Sequence, residues 1–316
     1  MKRILLIRMS SLGDIIHTFP AVTDLRRALP DAALDWVVEE AYLPLAQLHR
    51  GVTRPLPIAL RRWRGRLASP QTWREAAAFR RTLRENRYDA ILDTQGLIKS
   101  AVVAALAQGG PVHGFGRGTA RETLATCFYD VKHEFGASDH KVERYRTVAA
   151  RALGYAPGGL DYGIGSPPRP SQAPAGPYCV LLHSTARAAK LWREADWIEI
   201  GRHLAARGLD CVLPWGDAAE RVRSERLAAA IPRAVVPPRM ALREACGLIG
   251  HAQCVIGVDT GLMHLAAALR VPVLGIYCDS EPLDAHPLGT GRAAFRGGVG
   301  QPPSAQEAIA ALAELA

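Results

Sequence analysis

Met1-Lys2-Arg3-Ile4-Leu5-Leu6-Ile7-Arg8-Met9-Ser10-Ser11-Leu12-Gly13-Asp14 is the stretch that decides the fold. Ile4 to Ile7 form a short aliphatic run of buried-strand type. A loop of small polar residues follows. Ile15-Ile16-His17-Thr18-Phe19-Pro20-Ala21-Val22 then reads as a helix that opens near Gly13. Strand, tight loop and helix in this order begin a parallel α/β sheet, in which ligands collect beyond the carboxyl ends of the strands. Asp14 stands at a helix N-terminus facing such a cleft. Two readings of it are open: a cap for free backbone N–H groups, or a general base that takes a proton from a hydroxyl.

The alternation continues outward from this stretch. Strands are expected at 34–38, 55–60, 90–93 and 112–114, with helices at 43–48, 71–86, 97–106, 119–128 and 139–153. Residues 156–177 are rich in Pro, Gly and Ser, the composition of a linker. The pattern then restarts, with strands at 178–182, 209–213, 234–236, 254–258 and 273–277. Helices lie between them, and an Ala-rich helix closes the chain at 304–316. The fold class is α/β, a parallel sheet wound on both faces, repeated. Domains are expected at 1–165 and 178–303, joined by a linker over 166–177, with the C-terminal helix 304–316 after them.

Composition narrows the function. A chain of 316 residues, 48% hydrophobic and 22% charged, has the make-up of a globular protein. No apolar run approaches the ~20 residues of a membrane span. The N-terminal apolar run stops at Arg8 and does not read as a signal peptide, so a cytoplasmic location is expected. The six cysteines form no C-x-x-C pair, which weighs against zinc and for free thiols. The net charge of +9 is uneven. Residues 1–165 hold 24 Lys+Arg against 16 Asp+Glu, and residues 166–316 hold 15 against 14. The first half therefore faces an anionic partner: an acidic substrate, a membrane surface or nucleic acid.

Several motifs carry chemistry. Val258-Asp259-Thr260-Gly261-Leu262-Met263-His264 follows a strand and opens a helix. Free N–H groups of Thr260, Gly261 and Leu262 at a positive dipole end suit phosphate, and an ordinary Asp/Thr cap is the plainer reading. Lys190 is one of five lysines against 34 arginines, in the loop after the second domain's first strand. It suits a diphosphate as a point charge, or is a solvated loop cation. Glu220 follows Trp215-Gly216 and suits a ribose hydroxyl, or is a surface carboxylate. Arg61, Arg62 and Arg64 surround Trp63, a group for gripping phosphate or carboxylate, or a basic loop. No Walker loop is present, and no carboxylate cluster suggests an obligatory metal.

Six segments in this order resemble glycosyltransferase family 9, the lipopolysaccharide heptosyltransferases. They are S-S-L-G-D-I-I-H-T-F-P-A (10–21), D-W-V-V-E-E (35–40), R-R-W-R (61–64), D-T-Q-G-L-I-K-S (93–100), L-P-W-G (213–216) and V-D-T-G-L-M-H-L (258–265). The resemblance runs over nearly all of the chain. It implies a GT-B fold, two Rossmann-like domains facing across a cleft, with the C-terminal helix crossing back to the first. It implies transfer, with inversion, from ADP-L-glycero-β-D-manno-heptose to the Kdo region of lipid A. Asp14 is then the base. Thr185, Lys190, Glu220, Asp259, Thr260, Gly261 and His264 are donor contacts. Arg61, Arg62, Arg64 and Arg121 are acceptor contacts. Segments 35–40 and 61–64 point to the enzyme that adds the first heptose. A monomer, peripheral on the cytoplasmic face of the inner membrane, with no obligatory cofactor and no nucleic acid, completes the expectation.

One departure stands out. Family members often have two threonines where this chain has Thr185-Ala186, and acidic residues where it has Ala188-Ala189. Activity with altered donor affinity is expected. Three other readings remain open at this point: an enzyme adding the second heptose, a nucleotide-sugar epimerase of the same fold, and a non-catalytic protein that binds anions or nucleic acid.

Overall fold

The computed structural model describes residues 2–136, 139–282, 286–289 and 291–315. The chain divides into two compact units, Met1–Gly163 and Ile164–Ala316.

The first unit runs β1 (Arg3–Ile7), α1 (Leu12–Ala28), β2 (Ala33–Glu39), α2 (Leu43–Ala46), β3 (Arg54–Ile58), α3 (Leu60–Arg64), α4 (Pro70–Leu83) and β4 (Ala90–Asp93). Then come α5 (Ile98–Leu106), β5 (Val112–Phe115), a 3-10 turn (Thr123–Phe128), β6 (Val131–His133) and α6 (Lys141–Leu153). The strands form one parallel sheet in the order β3-β2-β1-β4-β5-β6. Ile7 lies opposite both Val37 and Asp93, so the strand order reverses between β1 and β4. Leu5, Ile7, Val37 and Ile91 face the layer of α3, α4, α5 and the 3-10 turn, meeting Trp63, Phe79, Leu83 and Ala101. Phe115 turns to the opposite face and meets Tyr145 and Val148 of α6, which packs along α1.

The second unit runs β7 (Tyr178–Leu182), a short 3-10 turn (Ala188–Lys190), α7 (Glu194–Ala206), β8 (Asp210–Val212), α8 (Ala218–Ala230), β9 (Ala234–Val235) and α9 (Leu242–Gly250). It continues with β10 (Cys254–Val258), α10 (Gly261–Ala268), β11 (Val273–Tyr277), β12 (Ala293–Gly297) and α11 (Ala305–Ala313). Its parallel sheet has the order β12-β11-β10-β7-β8-β9. With β7 taken as the first strand, this repeats the order of the first sheet. The reversal falls between β7 and β10.

Local chemistry sets the element ends. Ser11 and Asp14 form a capping box at the start of α1, and Ser304 and Glu307 form one at α11. Gly154, with φ of 75°, ends α6 in the left-handed conformation that lacks a Cβ penalty only for glycine.

Three expectations are corrected. The helix expected at 119–128 is only the 3-10 turn, because Glu122 is held back by its N–H on the Gly96 carbonyl and its carboxylate on the Ile98 N–H. The arginine cluster lies on a short helix, α3, and β3 ends at Ile58 before it. β6 and β12 are edge strands that the sequence pattern did not suggest; their partly exposed residues form no apolar run. The C-terminal helix α11 falls in the second unit. It packs against α7, β11 and β12, with Ala308, Ala311 and Leu312 joining Ile200, Leu204 and Leu274 in one core. Its small alanines let the backbones approach closely. Ala316, the last residue of the expected helix, lies outside the described residues.

Candidate active site

In the first unit the chemistry gathers beyond β1 and β4, where the strand order reverses. Asp14 sits at the third position of α1. Its Oδ2 accepts from the Ser11 N–H at 3.2 Å and from the Ser11 hydroxyl at 2.9 Å. Its Oδ1 accepts from the Tyr145 hydroxyl of α6 at 3.2 Å. Burial alone would raise its pKa. The Arg8 and Lys141 charges and the Ser11 hydrogen bonds overcome that and hold the carboxyl below its usual range. Capping and readiness as a base therefore coexist in one side chain, ionised at neutral pH.

Arg8 is the residue that sequence reasoning missed. It directly follows β1, is 3% exposed, and lies 4.1 Å over the ring of Tyr145. Its Nε and Nη2 find no acceptor among the described residues. Its charge also bears on Asp93, which is fully buried. Asp93 builds the neighbouring loop: Oδ1 accepts from the N–H groups of Gln95 and Gly96 at 2.8 and 3.3 Å, and Oδ2 from the Tyr129 hydroxyl at 2.7 Å. Gln95 in turn accepts from the Met9 N–H at 2.8 Å, which ties the two loops together. Position alone could have marked Arg8, since the loop after β1 was already singled out. Nothing in the sequence marked Tyr145, 131 residues from its partner.

The four arginines also follow strands of this sheet. Arg61, Arg62 and Arg64 follow β3, and Arg121 follows β5, its backbone N–H beside Gly96. They are not equivalent. Arg62 is committed to Glu40 and Glu75, at 3.0 and 2.7 Å. Arg61 lies 5.0 Å over the Tyr42 ring, and its N–H donates to Glu39 at 3.0 Å. Arg64 and Arg121 are exposed.

In the second unit the equivalent reversal, between β7 and β10, holds most of the expected donor residues. Lys190 forms an ion pair with Asp259. The Thr185 hydroxyl donates to the Asp259 carbonyl at 3.0 Å, and His264 Nε2 lies 3.8 Å from the Asp259 carboxylate. Burial would raise the Asp259 pKa, but the His264 and Lys190 contacts drive it far down. Thr260 is the N-cap residue of α10 and makes no side-chain cap bond, so it and Gly261 open that helix at the strand end. Its first-turn N–H groups form a positive dipole end. His183 is wedged between Ser224 and Ser184 at 2.8 and 2.9 Å; burial and Arg223 lower its pKa to about 4, which keeps it neutral. Glu220 stands apart, beyond β8, where its carboxylate accepts from the Gly216 N–H at 2.6 Å. Trp215, Gly216, Asp217, Arg221 and Arg239 line a shallow cleft there. Among the described residues no group of three or more His, Cys, Asp or Glu side chains is placed to hold a metal ion.

A cation, a helix N-terminus and an aromatic cleft at one sheet edge suit a nucleoside diphosphate. An ionised carboxylate influenced by Arg8 and Lys141, in a unit that also carries arginines beyond β3 and β5, suits an anionic hydroxyl-bearing partner. Comparison with known proteins identifies the family. The family model for glycosyltransferase family 9 (heptosyltransferase) matches residues 76–309. A lipopolysaccharide heptosyltransferase 1 of Pseudomonas aeruginosa is 43% identical over 282 residues, 89% of this chain and 79% of its own. One of Escherichia coli K12 is 40% identical over 283 residues, 89% of each chain. A solved structure of the E. coli heptosyltransferase WaaC with ADP superposes with a TM-score of 0.91 at 38% identity, covering 99% of this chain and 100% of that one. These likenesses, with the paired parallel sheets and the two strand-end sites, place the chain in glycosyltransferase family 9, the heptosyltransferases.

Proposed function

We propose that this enzyme transfers L-glycero-D-manno-heptose from ADP-L-glycero-β-D-manno-heptose to a Kdo hydroxyl of Kdo-lipid A, with inversion, as a peripheral protein of the inner membrane's cytoplasmic face. The observation that carries the reading is Asp14, an ionised carboxylate held by three donors on a strongly basic unit. Asp14 accepts the proton of the acceptor hydroxyl as the new bond forms. A low pKa makes it a weak base, which is sufficient when the anomeric centre carries oxocarbenium character and bond formation itself acidifies the hydroxyl. ADP leaves without a protonating acid. Lys190 and the N-terminus of α10 stabilise its developing charge, and Asp259 holds Lys190 in place for that role. Thr185, Thr260, Gly261 and His264 complete the diphosphate and sugar seat, and Glu220 takes the ribose. Arg61, Arg64 and Arg121 meet the carboxylates and phosphates of the acceptor, while Arg62, tied to Glu40 and Glu75, braces α3.

ADP release from ADP-heptose with Kdo-lipid A tests this. Asp14→Asn keeps an oxygen for the Ser11 cap but lacks the charge. It should cut kcat by about 10³ and leave ADP binding unchanged. Full activity in the variant would return Asp14 to capping alone. Release only with an already heptosylated acceptor would assign the enzyme to the second heptose.

A further inference from the structure

Eight of the ten large apolar side chains that stand exposed among the described residues belong to the first unit. Seven of these lie on one layer, that of α3, α4, α5 and the 3-10 turn. Leu67 and Trp73, 58% and 63% exposed, meet where the α3–α4 loop enters α4. The Trp73 indole N–H donates to the Leu67 carbonyl at 2.9 Å, so the ring is fixed against this loop. On α5, Ile98, Val102 and Leu106 recur every fourth residue and form one exposed stripe. Leu124 and Phe128 extend it on the turn that packs beside α5.

Charge is concentrated on the same layer. Residues 61–84 hold eight arginines and one acid, Glu75, a net +7. Exposed apolar tips inside a field of guanidinium groups fit the boundary between anionic headgroups and acyl chains. The tips enter the hydrocarbon edge and the arginines stay at the phosphates. RNA fits less well, because five of the seven apolar side chains are aliphatic and offer nothing for a base to stack on. A second copy of this chain would bring one +7 stretch against another.

We propose that this layer of the first unit docks on an anionic bilayer, with Leu67, Trp73 and the α5 stripe at the headgroup boundary and Arg74, Arg80 and Arg81 on lipid phosphates. The proposal rests on the membrane-side location given above and not on the transfer chemistry. Co-sedimentation of the full chain with phosphatidylethanolamine/phosphatidylglycerol vesicles, against phosphatidylcholine vesicles, tests it. The wild type should bind the anionic vesicles alone. Leu67→Ser/Trp73→Ser and, separately, Val102→Ser/Leu106→Ser should weaken that binding about tenfold or more. Arg74→Gln/Arg80→Gln/Arg81→Gln should flatten its salt dependence. On a water-soluble acceptor without acyl chains, all three variants should keep rates within about twofold of wild type, which reports intact folding. Equal binding to neutral vesicles, wild-type binding by both apolar variants, or binding to RNA but not to vesicles would overturn the proposal. A wild type that fails on the soluble acceptor yet binds anionic vesicles would instead count against the transfer reading and leave the surface standing.

Discussion

The Arg8 charge, with Lys141 and the Ser11 hydrogen bonds, holds the Asp14 carboxyl low, and the consequence is measurable. Asp14 titrates below the ordinary carboxylate range when folded, so it stabilises the protein at pH above its unfolded value and that contribution is lost as pH falls through the folded one. The acid limb of kcat/KM should therefore lie below the ordinary Asp pKa of about 4. Arg8→Gln should move that limb upward, and Arg8→Lys, which keeps the charge, should move it less; a limb that stays put in both would remove Arg8 from this role. The proposed donor site yields a second test. The Thr185 hydroxyl is already given to the Asp259 carbonyl and the Ser184 hydroxyl is engaged by His183, so with alanine at 186 this loop has no uncommitted hydroxyl at these positions. Ala186→Thr should tighten ADP-heptose binding about threefold to tenfold, one hydrogen bond's worth, and an unchanged affinity in titration calorimetry would refute the idea. At this scale the places of Asp14, Lys190 and Asp259 could be read from the sequence, because an apolar strand run precedes each, immediately before Asp259 and one loop before Asp14 and Lys190. Arg8's buried setting and Tyr145's hydroxyl could not, because both arise from packing between α6 and the loop after β1.

Among the elements, α11 shows how far pattern reading reaches. Its composition announces a helix, and its capping box announces where it starts, but neither says which surface it covers. The answer lies in the side chains it meets: Leu312 is 6% exposed in the second core. Leu312→Ala should cost about 3 kcal/mol, seen as a lower urea midpoint with ADP binding retained at low denaturant. A midpoint within experimental error of wild type would mean that α11 is not part of that core. The central strands β1, β4, β7 and β10 were legible because burial on both faces leaves continuous apolar runs. β6 and β12 were not, since an edge strand buries too little to leave one. The turn at Thr123–Phe128 has helical composition and lost its helix to two long-range bonds of Glu122.

For the whole molecule, three buried histidines set the response to acid. His49 and His133 in the first unit and His183 in the second are each lowered to about 4, in every case chiefly by burial. A depressed histidine pKa means that the unfolded chain takes up the proton first. Stability is then full above about pH 6.5 and falls toward pH 4, by about 1.4 kcal/mol per pH unit for each histidine. Denaturant unfolding at pH 7 and pH 4.5 should show the loss, and His183→Gln should lessen it; a flat profile would mean these rings are not held neutral. The doubled α/β architecture was readable because its period is set by strand burial and a Pro/Gly-rich break. That the two halves are near-copies with different occupations was not. The loop Asp93-Thr94-Gln95-Gly96 after β4 and Asp259-Thr260-Gly261 after β10 hold equivalent places in their sheets. In the second half the following helix opens with its N–H groups uncovered by any side-chain cap. In the first, the Glu122 carboxylate sits on the Ile98 N–H at 2.7 Å, a built-in stopper where a phosphate would otherwise settle. One architecture thus comes in two versions, an open helix end that suits a phosphate and one whose leading N–H is already taken by a carboxylate, so the two halves are not interchangeable as phosphate seats.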